Sequence, residues 1–244
     1  MEKRFIRVAS LLGEEAMVRL AASHIAVFGL GGVGSWCAEA LARSGVGRLT
    51  LIDRDVVSES NINRQIPALS STVGFPKTEV MAARVEDINP RCEVRTLNGT
   101  YDAEHREEFL ADYDYVADAI DLVSCKLDLI CTCLERGIPI LSALGTGNKQ
   151  DPSLLRISDL AETQNDALAR VIRRELRARG VLHTEVVWSP EAPMEPIPYE
   201  TPDPGRRSVP GSLAWVPSSA GLLMARHIVL QLTAAEKTKK APAS

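Results

Sequence analysis

A glycine-rich turn between an apolar run and a helical pattern constrains the fold of this chain more than any other feature. Residues 24–28 are apolar, residues 35–43 carry apolar side chains at helical spacing, and G-x-G-x-x-G lies between them at Gly29, Gly31 and Gly34. Glycines at such a turn let backbone N–H groups approach a phosphate at the positive end of a helix. The pattern therefore predicts a nucleotide-binding strand, turn and helix. Glycines needed only for a tight turn are the alternative interpretation.

Strands and helices alternate along the first 150 residues. Apolar patterns and prolines predict strands at 24–28, 48–53, 93–97, 113–120 and 138–141, with helices at 35–43, 76–89 and 126–136. This alternation predicts an α/β fold with a doubly wound, mostly parallel sheet and right-handed crossovers. Beyond residue 150 we expect helical structure in 159–179, a strand at 185–187 and a final helix at 219–233. The prediction is a Rossmann-like ATP-binding half followed by a C-terminal extension of helices and strands.

The length of 244 residues fits a single α/β domain. Within it we predict an N-terminal helix or arm (1–22), a nucleotide-binding core (23–150) and a substrate-side region (151–244). The proline-rich stretch 189–211 cannot pair in a central strand or continue a helix, so it is expected to be a mobile surface loop.

Composition narrows the class of protein further. A formal net charge of −4 argues against a generally basic nucleic-acid binder, although a local basic face remains compatible with it. The five cysteines are odd in number and form no pair of C-x-x-C motifs, which favours reduced thiols in the cytoplasm and predicts no zinc. No run of about 18 apolar residues is present, so no membrane association is expected.

Polar residues after the glycine turn distinguish two classes of nucleotide site. Asp53 ends the second predicted strand, where an acid accepts hydrogen bonds from ribose hydroxyls, and to this point a nicotinamide or flavin site is the alternative interpretation. Arg64 and Lys77 then supply cations of the kind that a reacting triphosphate needs. The alternative interpretation of Arg64 and Lys77 is that both are ordinary solvated surface residues. Asp121 ends a later strand, where a carboxylate can hold Mg²⁺, whereas Asp118 is better explained as a structural or helix-capping acid.

Six motifs together resemble a known family, the adenylating enzymes related to ubiquitin-activating enzymes and to the enzymes that adenylate sulfur carriers of molybdopterin and thiamin synthesis. They are GLGGVGS (29–35), LIDRD (51–55), SNINRQ (60–65), VGFPK (73–77), INP (88–90) and DAID (118–121). Within that family the chain is most similar to the tRNA threonylcarbamoyladenosine dehydratases. This likeness rests on ARSGVGRLTLID (42–53), NINRQIPAL (61–69), DYDYVADAID (112–121) and ALGTGNKQDP (143–152).

The resemblance implies roles for individual residues. Asp121 would bind Mg²⁺, and ATP would be bound by Gly29, Gly31, Gly32, Gly34, Asp53, Asn61, Arg64, Gln65 and Lys77. Arg64 and Lys77 would act in catalysis together with Arg7. In the wider family an arginine shortly before a glycine reaches the phosphates of the neighbouring subunit, and Arg7 has that spacing from Gly13. That role implies a homodimer. An ordinary surface charge on an N-terminal helix is the alternative for Arg7.

The reaction implied is activation of a carboxylate as an acyl-adenylate. Since no cysteine follows Cys133, a thioester or persulfide relay beyond that point is excluded. The dehydratase likeness implies transfer of AMP to the threonyl carboxylate of threonylcarbamoyladenosine in tRNA, followed by ring closure and release of AMP. Adenylation of the C-terminal carboxylate of a ubiquitin-like sulfur carrier and NAD-dependent oxidoreduction are the two alternatives. Sulfur-transfer proteins are further candidate partners.

A tRNA substrate requires a basic surface, and one helix supplies a candidate. Four arginines recur at i, i+3, i+4 and i+7, where they would neutralise backbone phosphates: Arg170, Arg173, Arg174 and Arg177. Lys149, Arg206 and Arg207 are expected to add to this surface from loops. A solvated helix face is the alternative interpretation of the four arginines.

Overall fold

The computed structural model describes residues 2–199 and 209–234, and within them seven strands form one sheet. The strands are β1 (His24–Phe28), β2 (Arg48–Asp53), β3 (Glu93–Asn98), β4 (Tyr115–Asp118), β5 (Ile140–Ala143), β6 (Arg156–Asp159) and β7 (Glu185–Trp188). Their order is β3-β2-β1-β4-β5-β7-β6, and every neighbouring pair is parallel except β6 and β7. The predicted doubly wound, mostly parallel α/β sheet is therefore confirmed.

Helices cover both faces of this sheet. In the described part of the chain they are α1 (Ile6–Leu12), α2 (Glu14–Ala22), α3 (Gly34–Arg43), α4 (Lys77–Ile88), α5 (Arg106–Phe109), α6 (Val123–Arg136), α7 (Ala167–Ala178) and α8 (Trp215–Thr233). Gly13 separates α1 from α2 because it adopts a positive φ of 85°, which a non-glycine residue rarely tolerates. None of these helices, within residues 2–199 and 209–234, has the length and apolarity needed to cross a bilayer.

The central strand shows how the sequence creates two hydrophobic cores. Alternate residues of β1 point to opposite faces: Ile25 and Val27 join one cluster, whereas Ala26 and Phe28 join the other. The first cluster includes buried residues of α2, α3, α4 and α8, and the second includes residues of α6 and α7. Burial on both faces explains why β1 reads as a continuous apolar run.

Three of the differences from the predictions have a clear physical reason. The strand β6 was not predicted, because three of its four residues are polar and it forms the half-buried antiparallel edge of the sheet. Helix α7 begins only at residue 167, where the carboxylate of Asp166 accepts a hydrogen bond from Ala169 N. Helix α8 begins four residues before the predicted 219 and contains Pro217 in its first turn, where backbone N–H groups have no partner within a helix.

Candidate active site

A cavity of about 730 Å³ opens at the carboxyl ends of β1, β2 and β4. Most residues with a predicted ATP or magnesium role line it: Gly29, Gly31, Gly32, Asp53, Asn61, Arg64, Gln65, Lys77 and Asp121. Two predicted residues lie elsewhere in the fold. Gly34 is buried at the start of α3, and Arg7 is exposed on α1. The structure thus brings together side chains that are spread over nearly 100 positions of the sequence.

Close backbone packing explains the glycines of the turn. Gly29 has a φ of 86°, and a Cβ there would lie 2.7 Å from the carbonyl oxygen of Ala119. A Cβ on Gly34 would overlap the carbonyl oxygen of Gly29, so the start of α3 packs directly against the end of β1. A Cβ on Gly31 would have as its nearest neighbour the Gln65 side chain, at 3.9 Å. Gly31 is therefore the position of the turn at which a ligand can approach the backbone most closely.

The carboxylate of Asp53 connects the glycine turn to the segment that follows β2. Its Oδ2 accepts a hydrogen bond from Leu30 N at 2.6 Å, and its Oδ1 accepts one from Asp55 N at 2.8 Å. Both bonds hold the carboxylate at the cavity wall. An acid fixed between the turn and the strand end is suitably placed to accept hydrogen bonds from ribose hydroxyls.

Lys77 is a buried cation at the cavity wall. It is the first residue of α4, its exposed fraction is 4%, and its Nζ donates to Asp55 Oδ2 at 3.0 Å. Its backbone N–H donates to Asp55 O at 3.1 Å, so the chain folds back over residues 55–77 to deliver the ammonium to the cavity. Sequence reasoning did not single out Asp55, although it belongs to the LIDRD motif.

Arg64 lies directly over the glycine turn. A Cβ on Gly32 would lie 3.4 Å from Arg64 Cγ, and Arg64 Nη1 donates to Ser60 O and to Asn63 Oδ1 at 2.9 and 2.7 Å. Its carbonyl oxygen accepts a bond from Trp36 Nε1 of α3 at 3.2 Å. The guanidinium side chain is thus anchored beside the turn rather than extended into solvent.

The two acids at the end of β4 have different surroundings. Asp118 is fully buried, and its Oδ2 accepts a hydrogen bond from the equally buried Lys126 Nζ at 2.6 Å. Its other oxygen accepts the N–H of Ile120 at 3.0 Å. Asp121 is exposed at the cavity, so it is the acid of the two that can meet a ligand there. Asp118 is the structural acid that its position in the strand suggested.

Comparison with known proteins identifies the family. A sequence model of the ThiF family matches residues 3–242. The chain belongs to the ThiF family. It is similar to the tRNA threonylcarbamoyladenosine dehydratase of Bacillus subtilis (strain 168), with 44% identity over 243 residues and 95% of each chain covered. It is also similar to that of Escherichia coli (strain K12), with 42% identity over 203 residues, 80% of this chain and 76% of the relative.

A solved structure extends this likeness to three dimensions. The E. coli tRNA N6-threonylcarbamoyladenosine dehydratase TcdA in complex with ATP is 38% identical and superposes with a TM-score of 0.85. The match covers 94% of this ThiF-family chain and 93% of TcdA. The shared fold therefore includes the region beyond residue 150, which the motifs of the nucleotide-binding core do not reach.

The far wall of the cavity in this ThiF-family protein comes from residues that sequence reasoning did not assign. It includes Gly145, Gly147, Pro210, Gly211 and Pro217. Asn148, at a φ of 60°, joins the two loops: its N–H donates to Gly211 O at 2.7 Å and its Oδ1 accepts from Gly211 N at 2.6 Å. The glycines of the ALGTGNKQDP segment were the available signal for the first loop.

One thiol, Cys125, also lines the cavity of this ThiF-family protein. Burial raises the pKa of Cys125, which favours the neutral thiol over the nucleophilic thiolate. The cavity-lining cysteine is therefore a poor nucleophile, in keeping with chemistry that does not pass through a covalent enzyme thioester.

The predicted basic surface on α7 is narrower than expected. Arg170, Arg174 and Arg177 are exposed, whereas Arg173 Nη1 donates to Thr163 O and Oγ1 at 2.9 and 2.6 Å and so turns toward the protein. The expectation for Lys149 was wrong. Its side chain is buried, and its Nζ lies 3.3 Å from Asp166 Oδ2 and 3.0 Å from Ser189 O. Arg206 and Arg207, together with residues 200–208 of the proline-rich loop, lie outside the described residues.

Proposed function

We propose that this protein catalyses ATP-dependent dehydration of threonylcarbamoyladenosine in tRNA. The observation that carries the proposal is the convergence of the glycine turn, Asp53, Arg64, Lys77 and Asp121 on one cavity, in a chain similar to dehydratases over almost its whole length. Such a cavity suits a nucleoside triphosphate whose α-phosphate reacts, because two cations face the region where charge develops.

The proposed reaction has two steps. A carboxylate oxygen of the threonyl group attacks the α-phosphorus of ATP, and pyrophosphate leaves. A nucleophilic atom within the same modified side chain then attacks the activated carbonyl carbon and loses its proton, and AMP leaves with one former carboxylate oxygen. The substrate thereby loses the elements of one water molecule. The enzyme binds, orients and neutralises charge, and no covalent bond to the protein is required.

The roles of the cavity residues follow from their positions. We assign Asp53 to the ribose hydroxyls, the backbone of the glycine turn and Asn61 to the phosphates, and Arg64 and Lys77 to the charge that grows on the phosphates. Gln65, which lies beside Gly31, completes this wall. The bond from Lys77 to Asp55 keeps the ammonium at the cavity before ATP arrives, which reduces the reorganisation needed during the reaction.

Asp121 fits a role in binding Mg²⁺. Its exposed carboxylate is at the cavity, and Mg²⁺ in phosphate-transfer sites uses one or two carboxylates together with substrate phosphates. Within residues 2–199 and 209–234 no group of three or more potential metal-binding side chains occurs, so the phosphates would supply the remaining ligands. The ion would neutralise phosphate charge.

We further propose that the protein acts as a homodimer in the cytoplasm. Arg7 is exposed on α1 and does not line the cavity of its own chain, and apolar side chains of α1 and α2 are exposed as well: Ile6, Leu11 and Val18, with Leu11 at 87%. Exposed apolar side chains of this kind are typical of a protein interface. In the proposed dimer a second subunit covers these side chains, and Arg7 of one subunit serves the phosphates bound by the other. Association with sulfur-transfer proteins stays a prediction.

The proposed function is tested by incubating the protein with ATP, Mg²⁺ and tRNA that carries threonylcarbamoyladenosine. Mass analysis of the nucleosides is expected to show loss of one water that depends on ATP, and the Lys77→Met variant should produce far less of this product in the same time. An unchanged nucleoside in every reaction would refute the dehydratase proposal. Thermal unfolding with ATP or NAD separates the nucleotide classes, because only a ligand that binds the native state raises the Tm.

A further inference from the structure

A second cavity adjoins the ATP cavity and shares Asp121, Leu122 and Pro210 with it. It has a volume of about 710 Å³ and lies between the first turn of α6 and the outward face of α7, and we call it the α6–α7 groove. We propose that this groove binds the carboxylate-bearing nucleoside of the tRNA. The proposal rests on the function proposed above, and it assigns the substrate a place that the ATP motifs do not define.

The position of the groove meets the geometric requirement of the reaction. The substrate carboxylate must reach the α-phosphate, while the rest of the tRNA must stay outside the ATP cavity. A nucleoside that lies in the groove would extend its side chain past Leu122 and Asp121 into the shared region. The volume lies within the roughly 300–1,000 Å³ of ligand pockets, so a nucleoside with its threonylcarbamoyl group can be accommodated.

The walls match the surface chemistry of a nucleoside. Leu127 and Val171 offer apolar surface for the faces of a base, whereas Ser124 and Glu175 provide polar atoms for its edge. None of the described residues that line the groove lies in a strand, so the groove presents no strand edge to an extended peptide tail. This favours an unstacked nucleoside over the C-terminal tail of a sulfur-carrier protein, since single-stranded loops are where proteins read RNA bases.

The charges around the groove suit an RNA ligand. Glu175 is held between two cations, with Arg174 Nη2 at 2.8 Å and Arg179 Nη1 at 3.3 Å from its oxygens. Arg179 lines the groove, and Arg170 and Arg174 are exposed on the same helix. Helix α7 therefore presents one base-sized groove together with cations that can meet the flanking phosphates.

The test compares variants that alter the groove without touching the ATP cavity. Val171, which is half-buried, is replaced in Val171→Trp to fill the groove and in Val171→Glu to add negative charge with a smaller change of volume. Leu182→Trp is the control, because Leu182 is 58% exposed and lines neither cavity. For each protein we would measure KM for the modified tRNA, and binding of ATP by calorimetry.

Both Val171 variants are expected to raise KM for the modified tRNA by about tenfold or more while ATP affinity stays within about twofold of wild type. Leu182→Trp should change neither value. If Val171→Trp loses ATP binding because it misfolds, Val171→Glu decides the question. An unchanged KM in a variant that still binds ATP would overturn the assignment of the groove.

Binding of a tRNA stem-loop that carries threonylcarbamoyladenosine is measured by fluorescence anisotropy in the presence of a non-hydrolysable ATP analogue, and it separates this inference from the proposed function. If the wild-type protein binds the stem-loop and Val171→Glu does not, the groove is supported even where no water is lost from the nucleoside. If both bind equally, the groove assignment fails while the dehydratase activity can still stand. If the wild-type protein neither binds nor dehydrates the substrate, both proposals fail.

Discussion

The ammonium nitrogen of Lys126 lies 2.6 Å from a carboxylate oxygen of Asp118, and both side chains are fully buried. The pair connects α6 to the end of β4, and Asp118 also accepts the N–H of Ile120. It therefore fixes the turn that leads to Asp121 at the ATP cavity. A buried ion pair is costly to break because removal of one partner leaves the other charge buried without its counter-ion.

We expect Lys126→Met to lower the free energy of unfolding by about 3–5 kcal/mol, since it leaves Asp118 charged and buried. The double variant Lys126→Met with Asp118→Asn should recover part of that loss, because no uncompensated charge remains. Urea denaturation of the three proteins measures both effects. A loss below about 1 kcal/mol in the single variant, as for surface ion pairs, would show that the pair is unimportant for stability.

Lys77→Met is expected to reduce kcat by about 10²–10³, the typical effect of removing one group that stabilises transition-state charge. The fold should survive, because methionine fills the same space and the partner Asp55 is half-exposed. Steady-state kinetics and the urea midpoint together check this. Lys77→Arg is the matched variant that keeps the charge but changes its geometry, and Arg64→Ala should behave like Lys77→Met. Wild-type turnover by either would remove these cations from the mechanism.

Arg7 is tested by mixing two inactive variants. If Arg7 serves the neighbouring subunit, a dimer of Arg7→Ala and Lys77→Met subunits contains one intact site, formed by Lys77 of one chain and Arg7 of the other. After random exchange of subunits, about a quarter of wild-type activity should return. Size-exclusion chromatography confirms the dimers. Failure of exchanged mixed dimers to regain activity would place Arg7 outside the partner's site.

Gly34→Ala is expected to weaken ATP binding, because its Cβ would overlap the carbonyl oxygen of Gly29 and displace the glycine turn. Gly180→Ala is the control. Gly180 has a φ of 80°, but a Cβ added there would meet no other part of the described structure within 4 Å. Only local backbone strain of about 1–2 kcal/mol is therefore expected. Calorimetric titration with ATP should distinguish the two variants. Equal ATP affinities would contradict the role given to close packing at the turn.

Glu39 links α3 to α4 and makes stability depend on acid pH. Burial acts to raise the pKa of Glu39, but hydrogen bonds from Arg84 and Arg43 outweigh it, so the pKa lies below its usual 4.5. The ionised Glu39 with its two arginine partners therefore stabilises the fold above pH 4.5, and this stabilisation is lost as the pH falls through the lowered pKa of Glu39. Glu39→Gln should be less stable than wild type at neutral pH, and the difference should shrink on acidification.

Urea unfolding at a series of pH values measures this dependence. Glu15→Gln serves as its control, since the Glu15 side chain is 93% exposed and its substitution should leave the profile close to wild type. A difference between Glu39→Gln and wild type that stayed constant below pH 4.5 would contradict the assignment.

Much of the fold was predictable because its signals are local. The predicted bounds of β1 and β2 agree with the structure, since each is an apolar run that ends at a glycine or an acid of the site. Strand β6 was missed because it has only one apolar residue, Ile157, and is stabilised by pairing with β7, a long-range interaction. The division into a single domain with a core at 23–150 and a substrate-side region at 151–244 stays a prediction.

The site shows the same division between local and long-range signals. The glycine turn, Asp53, Arg64 and Lys77 were found because a short stretch of sequence carries them in a characteristic order. The opposite wall of the cavity was not found, because Gly145 and Pro217 come to the cavity only when the whole sheet has formed. Lys149 was misplaced for a related reason: a lysine among glycine and polar residues is typical of a surface loop, yet its partners Asp166 and Ser189 bury it.

Helix α8 has a consequence for biosynthesis. Its Pro217 packs beside Gly32, and its Gly221 lies so close to the backbone of Val33 that a side chain would collide there. The ribosome makes the nucleotide-binding turn nearly 200 residues before this helix, which completes the surroundings of the turn. A nascent polypeptide therefore carries an unfinished nucleotide pocket with exposed apolar surface until α8 has been synthesised. ATP can therefore bind to the complete pocket only after α8 has folded onto the glycine turn.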